Sequence, residues 1–140
     1  TEGPAIVQYL ADQKPESKLA PANGTIARYH LMEALGYINS EIHKTYSPLF
    51  SKTTHPDTRA ERAEYLKRRY GQIEKQLAKS PYLMGEDFSV ADAYLFTVTR
   101  WARAVKVDLT DMPNIQAFQE RVAARPGVQQ ALREEGLLKS

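Results

Sequence analysis

Cysteine is absent from this 140-residue sequence. Within these residues that excludes disulfides, thiolate metal sites and a cysteine nucleophile. A strong charge imbalance is missing too. The formal net charge is +2, too small to point to a nucleic acid or a membrane surface as partner. No apolar run is long enough to cross a bilayer. Repeats of fixed period, low-complexity tracts and convincing period-two strands are also lacking. The three histidines, His30, His43 and His55, have no metal-ligand spacing, so no metal is expected. What is present is 42% hydrophobic and 26% charged residues. That is a globular balance, long enough for one domain with a real core. The lack of cysteine fits a cytoplasmic protein.

The opening "TEGPAIVQYLAD" spaces Ile6, Tyr9 and Leu10 along one side of a short helix, with Pro4 in its first turn. "QKPESKLAPANG" holds two prolines and a glycine and reads as a linker. The expected boundaries are therefore 1–13, a linker over 14–24, and a body over 25–140. Everything in that body reads as helix, about five helices behind one detached helix. A long helix is capped by Thr25, limited by Pro48, and carries Ile26, Tyr29, Met32 or Glu33, Gly36, Tyr37 and Ile38. The next has Leu66, Tyr70, Ile73 and Leu77 as a single stripe. "GEDFSVADAYLFTVTRWARAV" is apolar nearly all round and belongs at the centre of a bundle. Ile115, Phe118 and Val122 mark a helix between Pro113 and Pro126. Val128 and Leu132 mark a last one that stops at Gly136.

The sharpest local signal is "FSVAD". Ser89 and Asp92 stand three apart and form a capping box at the mouth of the most apolar helix. That gives Asp92 a structural task, against a reading as a catalytic carboxylate. On position alone, Glu2 complements the dipole of the first helix. His43 and Lys44 read as surface chemistry. Trp101 reads as core or as a pocket wall.

"DFSVADAYLFTVTRWA" resembles the central helix of the glutathione transferase helical domain. "SEIHKTYSPLF" resembles the long first bundle helix of the bacterial beta class, and "TEGPAIVQYLAD" is similar to the last helix of that family's thioredoxin-like domain. "KLAP" then looks like the interdomain linker. The resemblance runs over essentially the whole chain. It implies an all-α chain with a glutathione transferase C-terminal-like bundle, preceded by the last helix of a largely missing thioredoxin-like α/β domain. The rest of that domain, about 60 residues, would lie upstream of Thr1 and hold the residue that handles the sulfur.

The resemblance also implies residue roles. Glu2 takes the ammonium of glutathione and the Gly3 amide takes its α-carboxylate. His43 and Lys44 face the cleft near the sulfur and the glycine end, where positive charge and donors lower a thiol pKa. Tyr46 and Trp101 become walls for a small apolar electrophile. The helix carrying Gly36 and Tyr37 packs on its twin in a homodimer. The implied activity is glutathione S-transferase, by attack of the thiolate on an apolar electrophile or by related thiol exchange. Glutathione is then substrate, and no metal, nucleic acid or membrane takes part. The alternative is a non-catalytic module of the same fold.

Overall fold

The computed structural model describes residues 1–138. Among them there is no strand, only an isolated bridge between Tyr82 and Gly85. Helix α1 runs Gly3–Asp12, with Pro4 supplying a fixed φ in its first turn. A 3₁₀ turn over Pro15–Ser17 leads to α2, Ile26–Tyr37, whose N-cap Thr25 accepts from the Arg28 amide. The rod continues through a π-helical segment, Ile38–His43, into α3, Lys44–Phe50.

Three expectations are corrected along this rod. Pro48 lies inside α3 rather than at its limit; the helix ends where Ser51 turns extended. The core face of α2 is also not the expected one. Ile26, Tyr29 and Met32 are 72%, 59% and 47% exposed, while Arg28, Leu31 and Leu35 are buried. Both faces of α2 carry apolar residues, so hydrophobicity alone does not choose between them. The choice is made by Arg28. Its guanidinium donates to both Asp12 carboxylate oxygens at 2.8 and 2.7 Å, to the Pro21 carbonyl at 2.9 Å and to Gln8 at 3.1 Å. These bonds also mean that α1 is not detached. It packs on α2 and α5, and it buries Ala11 while Ile6, Tyr9 and Leu10 stay exposed.

The remaining helices follow the expected stripes. Helix α4, Pro56–Leu77, buries Leu66, Tyr70, Ile73 and Leu77. Its Glu74 carboxylate caps α7, Pro113–Ala123, by accepting from the amides of Asn114 and Ile115. Helix α5, Val90–Thr99, is the central one, with eight of its ten residues buried. The capping box at its mouth is formed. Asp92, fully buried, accepts from the Ser89 amide, the Ser89 hydroxyl and the Leu83 amide, each at 2.8 Å. A single turn, α6 (Trp101–Ala104), carries the chain on. Helix α8, Pro126–Glu134, buries Leu132 and closes at Gly136, whose φ of +69° suits a residue without Cβ.

Candidate functional site

The site lies where the mouth of α1, the π segment and α5 meet. Glu2 is the N-cap residue of α1 and is exposed; its carbonyl accepts from Ala5 and Ile6 at 3.0 Å. Pro4 has no N–H, so the Gly3 amide is the donor offered at this end of the helix. Gly3 lies beside Tyr94. A Cβ placed on Gly3 would stand 3.7 Å from the Tyr94 hydroxyl, an ordinary contact.

The π segment aims the next pair. The Lys44 amide donates to the Asn39 carbonyl five residues back. Hydroxyls bond to the backbone on either side of that wide turn, Ser40 to the Gly36 carbonyl at 3.0 Å and Thr45 to the Glu41 carbonyl at 2.9 Å. Asn39 and His43 then both reach α5. The Tyr94 hydroxyl donates to Asn39 Oδ1 at 3.0 Å and lies 2.6 Å from His43 Nδ1. The His43 ring also stands edge-on to Trp101, with centroids 4.9 Å apart.

The electrostatics of the cluster favour a neutral imidazole. Burial lowers the His43 pKa first, and the neighbouring Lys44 charge lowers it further; Glu2 opposes both. Burial raises the Tyr94 pKa, and Glu2 adds to this. The Tyr94 hydroxyl therefore keeps its proton at neutral pH. Lys44 itself is exposed.

Glu2, Gly3 and His43 are thus gathered around Tyr94, with Lys44 at the edge of the same cluster. Trp101 stands beside them, half-buried. It also lines a groove of about 720 Å³ with Phe88, Phe96, Arg100, Arg125 and Leu132. Tyr46 is not a wall. It is fully buried, its hydroxyl 2.9 Å from that of Tyr70, which in turn donates to Thr99 at 3.2 Å. An internal partner for the phenol, not an open face, explains its place in the core. The exposed aromatic beside Trp101 is Phe50, its ring centroid 5.7 Å away. Tyr94 and Asn39 are the residues that sequence reading missed. Among the described residues no group of acidic, histidine or cysteine side chains could hold a metal, and no helix is long and apolar enough to cross a membrane.

Residues 25–126 match the family described as glutathione S-transferase, C-terminal domain. Glutathione S-transferase GstA of Escherichia coli O157:H7 is 43% identical over 137 residues, which is 98% of this chain and 68% of that protein. The chain belongs to the glutathione S-transferase family. Solved structures of family members agree. A bacterial glutathione transferase called BphK, solved as a ternary complex, superposes with a TM-score of 0.96 at 52% identity, covering 98% of this chain and 68% of that one. A beta-class glutathione S-transferase from Sphingomonas chungbukensis gives 0.94 at 40% identity, covering 99% and 69%. The family and its beta class, read above from "DFSVADAYLFTVTRWA" and "SEIHKTYSPLF", are borne out, as is the all-helical C-terminal-like fold. In that fold the buried Asp92 does structural work at the head of the central helix, as its capping geometry requires.

Proposed function

We propose that the protein is a glutathione S-transferase that conjugates glutathione to small apolar electrophiles or catalyses a related thiol exchange. The observation that carries this reading is the convergence of Glu2, Gly3, Asn39, His43 and Tyr94 at the mouth of α1, in a chain of this family.

Each residue has a task that its chemistry suits. The Gly3 amide, at the positive end of α1, receives the α-carboxylate of glutathione. The Glu2 carboxylate pairs with the ammonium beside it. Lys44 contributes positive charge near the sulfur, which favours thiolate over thiol. His43, neutral by burial, offers a lone pair or a donor at the same point. The thiol gives its proton to the His43 lone pair or to water, and the sulfur electron pair forms a C–S bond with the electrophile. A leaving group such as chloride departs with the electrons of the bond it breaks. Trp101 and the neighbouring Phe50 ring suit a flat, apolar electrophile. The group acting directly on the sulfur is assigned to a thioredoxin-like part outside this sequence, of which 1–13 is the closing helix and 14–24 the linker to the body over 25–140.

The same reading makes the protein a cytoplasmic homodimer with a role in detoxification. The exposed Ile26, Tyr29 and Met32 on α2 supply an apolar surface for the twin helix, and Gly36 permits a close approach. The test is retention on immobilised glutathione together with turnover of a chlorinated nitroaromatic. Retention and turnover that both fall with Glu2→Gln or His43→Gln support the assignment; a protein that neither binds nor turns over refutes it.

A further inference from the structure

We propose that Tyr94 is a positioning residue: bridging Asn39 and His43 through one hydroxyl, it holds His43 as the Nδ1–H tautomer and keeps Nε2 as the lone-pair nitrogen available to the thiol. The thiol clause rests on the functional reading above; the tautomer itself does not.

The argument is one of proton counting. A tyrosine hydroxyl has a single proton to donate. Here it goes to Asn39 Oδ1 at 3.0 Å. With the Asn39 oxygen so placed, the contact of 2.6 Å between the same hydroxyl oxygen and His43 Nδ1 has the ring nitrogen as donor. A neutral imidazole that carries its proton on Nδ1 leaves Nε2 unprotonated. Free histidine in water favours the opposite tautomer, so the bridge works against the intrinsic preference of the ring.

The surroundings make the bridge stiff. Tyr94 is a buried residue of the central helix. Asn39 and His43 are one turn apart on the π segment, joined by the bond from the Lys44 amide to the Asn39 carbonyl. The imidazole is held edge-on between Trp101 and Tyr94, at centroid distances of 4.9 and 5.8 Å. The charged and titratable groups acting on it are Lys44 from its own rod and Glu2 from the mouth of α1, with Tyr94 from α5. The Tyr94 oxygen is therefore where three elements register on one another, since Gly3 of α1 lies against it as well. An error in any of the three would change which ring nitrogen carries the proton.

The test reads the tautomer directly. Nitrogen-15 NMR of the histidine side chains is recorded above the titration of His43, with its signals assigned by their loss in His43→Gln. Wild type should show the Nδ1–H signature. Tyr94→Phe removes the acceptor, and the ring should revert to Nε2–H. Asn39→Ala should give the same reversal by another route, because the freed Tyr94 proton then turns to Nδ1. An unchanged far-ultraviolet circular dichroism spectrum and urea midpoint verify that the variants are folded. An Nε2–H wild type, or a tautomer indifferent to both substitutions, overturns the proposal. The catalytic consequence is read separately. Tyr94→Phe should lower kcat/KM about 10-fold, less than the ~10²–10⁴ of a group that itself transfers the proton, with the KM for glutathione nearly unchanged. A switched tautomer with unchanged kcat/KM overturns that half. Because NMR needs no glutathione, its outcome is independent of whether the protein turns over at all.

Discussion

Asp92→Ala should be the most damaging single substitution in the central helix, and the structure says by how much. The carboxylate is fully buried and accepts from two amides and one hydroxyl, each at 2.8 Å. The Ser89 hydroxyl can rotate to another acceptor, but the amides of Leu83 and Ser89 cannot. Stranding two buried donors costs about 1–3 kcal/mol each, and losing the cap costs about 1 kcal/mol more. Allowing for overlap between these effects, the expected loss is about 4 kcal/mol. That lowers the melting temperature on the order of 10 °C for a protein of this size class. Asp92→Asn keeps one acceptor but turns an NH₂ group towards a donor, so it should fall between the two, near 2 kcal/mol. Urea unfolding followed by circular dichroism measures both variants. Burial also pushes the Asp92 carboxyl above the usual carboxylate range, against the pull of its hydrogen bonds. The native state then keeps this proton to higher pH than the unfolded chain does. Stability from this group accordingly falls as pH rises between the ordinary value and the raised one, and Asp92→Asn should flatten that segment of the curve. An Asp92→Ala variant within about 1 kcal/mol of wild type would sink the structural account. Unchanged stability with abolished turnover would restore the catalytic reading.

Two further substitutions separate the roles of other residues. Tyr46→Phe removes one end of the Tyr46–Tyr70–Thr99 chain and should cost about 1–2 kcal/mol in urea unfolding, with kcat/KM for the nitroaromatic unchanged; a selective rise in the electrophile KM would return Tyr46 to the pocket. Arg28→Met breaks the clamp between α1 and α2. It should free the C-terminal half of α1 from α2 and leave Asp12 without its arginine, lowering stability in urea unfolding. Arg28 holds the Asp12 carboxyl below the usual range, so the stability it confers is present above that range and lost as pH falls through the lowered value. The variant should show a smaller acid-side loss, the part that Asn23 confers on Asp12 remaining.

How far the sequence could be read follows from the kind of signal each feature leaves. The capping box at Ser89 and Asp92 was legible because both partners lie within one turn. The stripe of α4 was legible because its opposite face is charged throughout. On α2 both faces are apolar, and the buried one contains an arginine whose partner, Asp12, lies 16 residues back. Periodicity carries no information about that pairing, so the wrong face was chosen. The π segment "INSEIH" has neither proline nor glycine to mark it. Its wide turn shows only in the backbone bond that spans five residues. Tyr46 carried the opposite ambiguity, since a tyrosine at an apolar position serves equally as core or as wall until its hydroxyl partner is known.

The candidate site divides along the same line. Glu2, Gly3, His43 and Lys44 were found because they sit in stretches that resemble a family. Nothing in "VADAYLFTV" distinguishes Tyr94 from its apolar neighbours, and its partners lie 51 and 55 residues away. Yet a buried phenol needs a hydrogen bond, and here two are supplied by the π segment, whose register departs from the α-helix. The wide turn and the tyrosine explain each other: a regular α-helical turn through Asn39 would offer its bonds to the carbonyl four back rather than five, shifting His43 around the rod. Deleting Ser40, which is exposed but lies within that turn, should therefore cost more than its burial suggests. It would remove the extra residue that the wide turn accommodates, regularising the rod with Ile42 and the residues beyond it on their present faces, and it would shorten the spacing of Asn39 and His43 from four residues to three. The deletion should lower turnover by disturbing the Asn39–Tyr94–His43 bridge while the buried face beyond the turn stays in place. Retained turnover with a helical far-ultraviolet spectrum would show that the π turn has no part in building the site.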